Sequence, residues 1–344
     1  MPGVIETWLL CLADPLGLGR PLPRPLMRGE LVRLLELANG HGVLPAVTAN
    51  MSQQVHSAGA RSVAWSADEA TAQAQLDEAL APARATLLDA AGRTMVLTRQ
   101  AQTLSAGFLQ RGIVAVILKG SDFAQRLYPQ AGLRPFRDVD LLISQKDLPQ
   151  AQQALRELDY APEPAPTLRY STGYAEETWL PASGPGGGVE LHWNLVNSPT
   201  LRRGLSVDLA DLTLTQTPGA APSISPSSQL LIAAVHGAAS HAFDRLQILC
   251  DIAQCVREFA GPLDRTYLQD ALGRQRARRL AMASALRLTY RAMGEPACRQ
   301  LLDSLGLHEP ISAHLAVTVK TVLHAQSPLG VARRKWYRQM LKKQ

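Results

Sequence analysis

The sequence predicts an α+β fold, mostly helical, in which a small mixed β-sheet core is flanked by N-terminal and C-terminal helical regions. Three observations point there. Aromatic residues are only 5% of the 344 positions, while Ala and Leu carry much of the apolar content, a composition that favours helices over a β-sandwich. Two short apolar runs rich in β-branched residues, IVAVIL at 113–118 and DVDLLI at 138–143, lie between segments of helical spacing and read as strands. GVELHWNL at 188–195 supplies a further strand.

In chain order, GELVRLLELANGHG places Leu31, Leu34, Leu35 and Ala38 at helical spacing and stops at Gly40 and Gly42. From Ser66 to Gly112 the chain is nearly free of Gly and Pro and predicts one or two long helices, with Pro82 starting the second or kinking the first. The core follows as strand, helix (SDFAQRLY), loop, strand, helix (DLPQAQQALRELDY). Next come a Pro- and Gly-rich stretch with a strand between Tyr174 and Trp179, a hairpin turn at Gly186–Gly188, and the third run. Residues 197–228 read as a polar linker, Ser225 and Pro226 as the cap and first residue of a helix, and the remainder as helices. The expected domains are a helical region at 1–106, a core at 107–200, a linker at 201–228 and a helical domain at 229–344.

Charge narrows the function classes. Net +6 is carried by the last fourteen residues, VARRKWYRQMLKKQ, with six Lys/Arg and no acid; the rest is neutral. A general nucleic-acid coat is therefore unsupported and no DNA partner is predicted, although a local phosphate site remains open. Four cysteines without C-x-x-C spacing, and no basic leader or long apolar stretch, predict a soluble cytoplasmic protein without a membrane span. The arginines at 274, 276, 278 and 279 read as a solvated helix face, and Asp251 as a buried partner for an arginine or histidine.

The chemistry concentrates in LKGSDFAQRLYPQAGLRPFRDVDLLI, residues 118–143. Strand alternation puts Asp138 and Asp140 on one face, where two close acids repel unless a cation joins them; hard oxygen ligands select Mg²⁺ or Mn²⁺. The alternative is an ion-paired structural role with Arg134 and Arg137. Glu190 and His192 share a face by the same alternation, so a third carboxylate is available. Gly120 and Ser121 end a strand and open a helix, a position that favours phosphate oxygens, while Lys119, Arg134 and Arg137 can balance polyphosphate charge. His236 and His241, five apart, do not share a face of an α-helix.

This combination resembles the nucleotidyltransferase superfamily related to DNA polymerase beta. More closely, the forms LKG, LY, R-x-x-x-D-V-D-LL and E-x-H-W, with HAFDRLQILCDIAQCV, resemble the bacterial family of uncharacterised nucleotidyltransferases over about Gly107 to Phe259. The resemblance implies a nucleotidyltransferase core with Gly120 and Ser121 at the phosphate turn and Asp138, Asp140 and Glu190 as metal ligands and catalytic acids. It implies an NTP substrate, Mg²⁺ or Mn²⁺, and an unidentified acceptor: a small molecule, a peptide or RNA. Asp122 stands where a second small residue is usual, so a triphosphate there requires its carboxylate to point away; Glu190 is one methylene longer than the commoner Asp. Two other readings accompany transfer to an unknown acceptor: a toxin-like enzyme acting on RNA through the basic tail, and a non-catalytic NTP-binding protein.

Overall fold

In the computed structural model, which describes residues 2–17, 24–58, 69–164, 173–184, 186–216, 219–273 and 275–344, the first apolar run folds as α1 (Val4–Leu12) and buries Trp8 to Leu12. The Pro-rich stretch at 18–23, the start of the helix read from Ser66, part of PEPAP and Arg274 lie outside the described residues. α2 (Arg28–Gly40) ends where expected, and Gly42 takes φ +69°, a left-handed turn that suits glycine. The chain then re-enters a helix, α3 (Leu44–Ala58), that the glycines concealed.

α4 (Glu69–Gln110) is one helix of 42 residues, so Pro82 neither starts nor ends it. The proline removes one donor, but the carbonyl it would have served belongs to Glu78, which is exposed to water. The sheet strands are β1 (Ala115–Ile117), β2 (Val139–Ile143), β3 (Tyr160–Pro162), β4 (Glu176–Pro181) and β5 (Val189–His192), ordered β1-β2-β5-β4-β3. β2 and β5 are parallel and the other neighbours antiparallel, a small mixed sheet as predicted. α5 (Ser121–Arg126) and α6 (Leu148–Glu157) are the short helices between the early strands.

One face of the sheet is apolar: Val139, Leu141, Val189, Leu191 and Trp179 pack with Phe108 of α4 and Leu155 of α6. The glycine turn joining β4 to β5 seats against α4 through Gln100, whose Nε2 donates to Gly187 O (2.8 Å) while its Oε1 accepts from Gly187 N (2.9 Å). A Cβ at Gly187 would lie 2.6 Å from Arg137 O, so the turn admits only glycine without moving the residue just before Asp138.

The region read as a linker is structured. Ser198 and Pro199 open α7 (Pro199–Leu205), with Pro at the first position and Leu201 and Leu205 buried. A two-stranded pair, β6 (Leu214–Thr215) and β7 (Ser223–Ile224), then leads to α8 (Pro226–His236), capped as expected by Ser225, whose hydroxyl accepts from Ser228 N. Helices α9 (Leu246–Val256), α10 (Arg265–Gly273), α11 (Arg276–Met293), α12 (Pro296–Ser304), α13 (Ile311–Ala316), α14 (Val319–Leu323) and α15 (Pro328–Lys342) follow. N-terminal and C-terminal helices share one apolar core that includes Leu34, Leu231, Leu249 and Leu286, each fully buried side chain contributing about 1.5–3 kcal/mol.

Two basic clusters are partly built into the fold, the arginines at 276–279 against their reading as a solvated helix face. Arg278 is buried, with Nη2 2.7 Å from Asp211 Oδ2, because α11 packs this side onto the former linker. In the basic tail, α15 buries Arg334, Tyr337 and Leu341; Arg334 donates to His241 O (3.2 Å), and Arg338 to Ala239 O (3.2 Å) and Ser240 O (2.6 Å). Two of the six tail cations therefore hold the fold together.

The core is tied to the C-terminal helices by one buried ion pair. Arg134, in the loop before β2, donates Nε to Asp251 Oδ1 (2.7 Å) and Nη2 to Asp251 Oδ2 (2.8 Å), and Tyr128 donates to the same Oδ1 (2.7 Å). Asp251→Ala leaves a buried guanidinium without its counter-ion and is expected to destabilise the protein by about 3–5 kcal/mol in urea melts; Tyr128→Phe is expected to cost about 1 kcal/mol. Gly187→Ala, with its Cβ forced against Arg137 O, is expected to cost about 1–3 kcal/mol in the same assay.

Candidate functional site

β2 and β5 run parallel with Asp140 paired to Glu190 and Leu142 to His192. Side-chain alternation then sets polar groups on the sheet face opposite to Phe108 and α6, toward the C-terminal helices. His192 is the hub: Nε2 lies 3.3 Å from Asp140 Oδ1 and 3.4 Å from Glu190 Oε2, and Nδ1 lies 3.4 Å from Glu176 Oε2 on β4. Lys119 Nζ, just past β1, donates to Asp140 Oδ2 at 2.6 Å. Asp140 is 1% exposed, whereas Asp138 and Glu190 are half-buried.

The electrostatics follow from this packing. Burial pushes the Asp140 carboxyl up, but Lys119 and His192 outweigh it and hold it well below the usual range. Burial pushes His192 down, yet Asp140 and Glu190 raise it to about 10, so it is an imidazolium at neutral pH. Asp138 is raised by burial and then by Asp140. Glu176 is also raised, by burial above all. Four carboxylates therefore face two cations, Lys119 and His192, and Asp138 carries the mismatch. Asp140, Glu190 and His192 each bring one ligand atom within 4.8 Å of the others, an arrangement open to a metal ion once His192 gives up its proton. A hard divalent cation suits the carboxylate oxygens and would relieve the excess of acid.

The Gly120–Ser121 turn is shaped by its neighbours. Gly120 adopts φ 51°, ψ −111°, and a Cβ there would meet Phe136 at 3.3 Å and Asp138 O at 3.5 Å. Ser121 is buried beneath it. Asp122 points away, accepting from Arg126 Nη1 (3.1 Å) and Gln229 Nε2 (2.5 Å) on α8. The cations suited to polyphosphate divide. Arg134 is engaged by Asp251, with one longer bond (3.4 Å) to Gly120 O, and Lys119 by Asp140. Arg137 is exposed, with no hydrogen bond or ion pair among the described residues.

Lys119, Gly120, Arg134, Arg137, Asp138 and Asp140 line one cleft of about 610 Å³, ample for a nucleotide, while Ser121, Asp122, Glu176, Glu190 and His192 lie outside its lining. Its other walls are the turn between α2 and α3, one side of α4 at Asp89 and Arg93, and the α8–α9 segment with His236, His241 and Arg245. Gln247 holds these walls together: its backbone N–H donates to His41 O (3.1 Å) and its side chain to Pro135 O (2.8 Å).

The α8–α9 wall overturns one spacing argument. Residues Gly237–His241 form a π turn, which places residues five apart above one another, and the rings of His236 and His241 meet edge to face at 4.9 Å between centroids. Nothing in the sequence advertised that turn, except that Gly237 is needed: a Cβ there would lie 2.7 Å from Ile248. Glu176 and Arg245 carried no motif and are placed only by strand pairing and helix packing.

No curated protein and no solved structure matches this chain. A family model does, over residues 30–294, which takes in α2 through α11 and every residue of the site. With that span matched, this chain belongs to the family of uncharacterised nucleotidyltransferases.

Proposed function

We propose that this protein moves a nucleoside monophosphate from a nucleoside triphosphate to an acceptor, with release of pyrophosphate, using Mg²⁺ or Mn²⁺ held by Asp138, Asp140 and Glu190. The observation that carries the reading is the excess of acid over cation on the β2–β5 face, with Asp138 raised by its neighbour Asp140 beside an open cleft. A divalent ion bound there would polarise the phosphoryl oxygens and offset the charge that develops on the departing pyrophosphate. Lys119, released from Asp140 by such an ion, lies at the edge of the same cleft and can turn to a phosphate oxygen. The Gly120–Ser121 turn brings backbone to the phosphates with no side chain in the way, and Asp122 is held off by Arg126 and Gln229. Glu190, with 32% of its side chain exposed against none for Asp140, is open enough to take the acceptor's proton.

Incubation of purified protein with Mg²⁺, labelled NTPs and cell extract is expected to label an acceptor or the protein itself. Asp138→Ala with Asp140→Ala is expected to abolish labelling, and transfer that survives this double substitution would sink the assignment. Glu190→Gln is expected to slow turnover by about 10²–10⁴-fold. Because His192 holds its proton up to about 10 and that charge competes with a cation, Mn²⁺ affinity should climb between about pH 6 and about pH 9. Calorimetry across that range reads the trend, and a flat profile would place the ion away from His192.

A further inference from the structure

The α8–α9 wall carries donors that no other described residue uses. Among the described residues His236 makes no hydrogen bond or ion pair through its ring nitrogens, and its one recorded ring contact is with His241. His241 turns Nδ1 to Asp244 Oδ1 (3.2 Å), which leaves Nε2 free. Arg245 donates Nε to Asp244 Oδ1 (2.9 Å), and its two terminal nitrogens have no partner among the described residues. All three side chains line the cleft that also holds Lys119, Asp138 and Arg137. The cations nearest the phosphate turn, by contrast, already have carboxylate partners.

The wall is also costly to build. After the π turn, Ala242 and Phe243 both take left-handed backbone angles, φ 48° and 56°, uncommon for non-glycine residues. Arg334 and Arg338 reach from α15 to the carbonyls of Ala239, Ser240 and His241 and hold the turn from behind. A regular α-helix through the same residues would send His236 and His241 in different directions. Burial and then Lys119 keep His236 well below the usual histidine range, so it presents a neutral ring with one N–H donor in a positive field.

We infer that His236, His241 and Arg245, together with Arg137 in the lining of the same cleft, bind the outer phosphates of the nucleotide, beyond the one received at the Gly120–Ser121 turn. This rests on the nucleotidyltransferase reading and assigns its substrate anion to a wall made by the C-terminal helices. The β2–β5 face is left with the metal and the reacting phosphorus. Bonds from arginine and imidazole to phosphate oxygens, charge-assisted on the phosphate side, would then satisfy these donors.

The test is calorimetric titration of the full chain, in Mg²⁺ buffer, with ATP, inorganic tripolyphosphate and adenosine. Wild-type protein is expected to bind tripolyphosphate and to bind ATP much more tightly than adenosine. His236→Gln, His241→Gln and Arg245→Gln are each expected to weaken ATP and tripolyphosphate by roughly tenfold, with adenosine binding unchanged. Arg338→Ala, outside the cleft, is expected to weaken tripolyphosphate in the same sense by loosening the turn, and thermal melts confirm that each variant is folded. If wild-type protein binds ATP while the three wall variants bind tripolyphosphate as tightly as it does, the subsite is wrong and the transferase reading stands. If wild-type protein binds neither ATP nor tripolyphosphate, both fail.

Discussion

The buried pairing of Arg134 with Asp251 is the constraint on which the rest of the molecule turns. A guanidinium and a carboxylate with this little exposure are tolerated only as partners, since either alone would face a desolvation cost of several kcal/mol. Their partnership fixes three things together. It sets the loop that delivers Asp138 to β2, it brings the Gly120 carbonyl within reach of Arg134, and it docks α9 against the core. Arg134 also lies over the Phe123 ring, with Cζ 5.3 Å from its centroid, so α5 is drawn into the same contact. The cleft exists because these pieces cannot move apart one at a time.

Much of this was legible in the residues. Alternation in DVDLLI and VELH is enough to place Asp138 with Asp140 and Glu190 with His192, because a strand allows only two directions. That the two strands are adjacent and parallel was not readable, and adjacency is what turns two pairs into one cluster. Asp251 was recognisable as a buried partner because a lone acid inside the apolar helix LQILCDIAQCV demands one. Its mate was not, since Arg134 lies far away in sequence.

Where the fold departs from the sequence rules, the causes are physical. Glycine at 40 and 42 does end a helix, but the left-handed turn at Gly42 feeds straight into another. Proline at 199 falls in a stretch that reads as linker, yet it opens α7, at a position where its missing N–H costs nothing. α-Helical spacing sets the two histidines apart, and a single π turn, which lengthens the backbone hydrogen-bond span from four residues to five, brings them together. Short-range rules therefore failed where tertiary packing chose among backbone states that the same residues permit.

The clamp from α15 has a consequence for how the chain matures. The strands, the aspartates and even α9 are complete long before residues 334–338 have been added, yet the imidazole wall leans on carbonyl contacts that only those residues supply. A nascent chain still tethered at its C-terminal end, or one clipped in the exposed turns ahead of α15, has the acidic face without a braced opposite wall. The cleft is in this sense finished late: α15, made well after the strands that carry the acids, is the helix that braces its opposite wall.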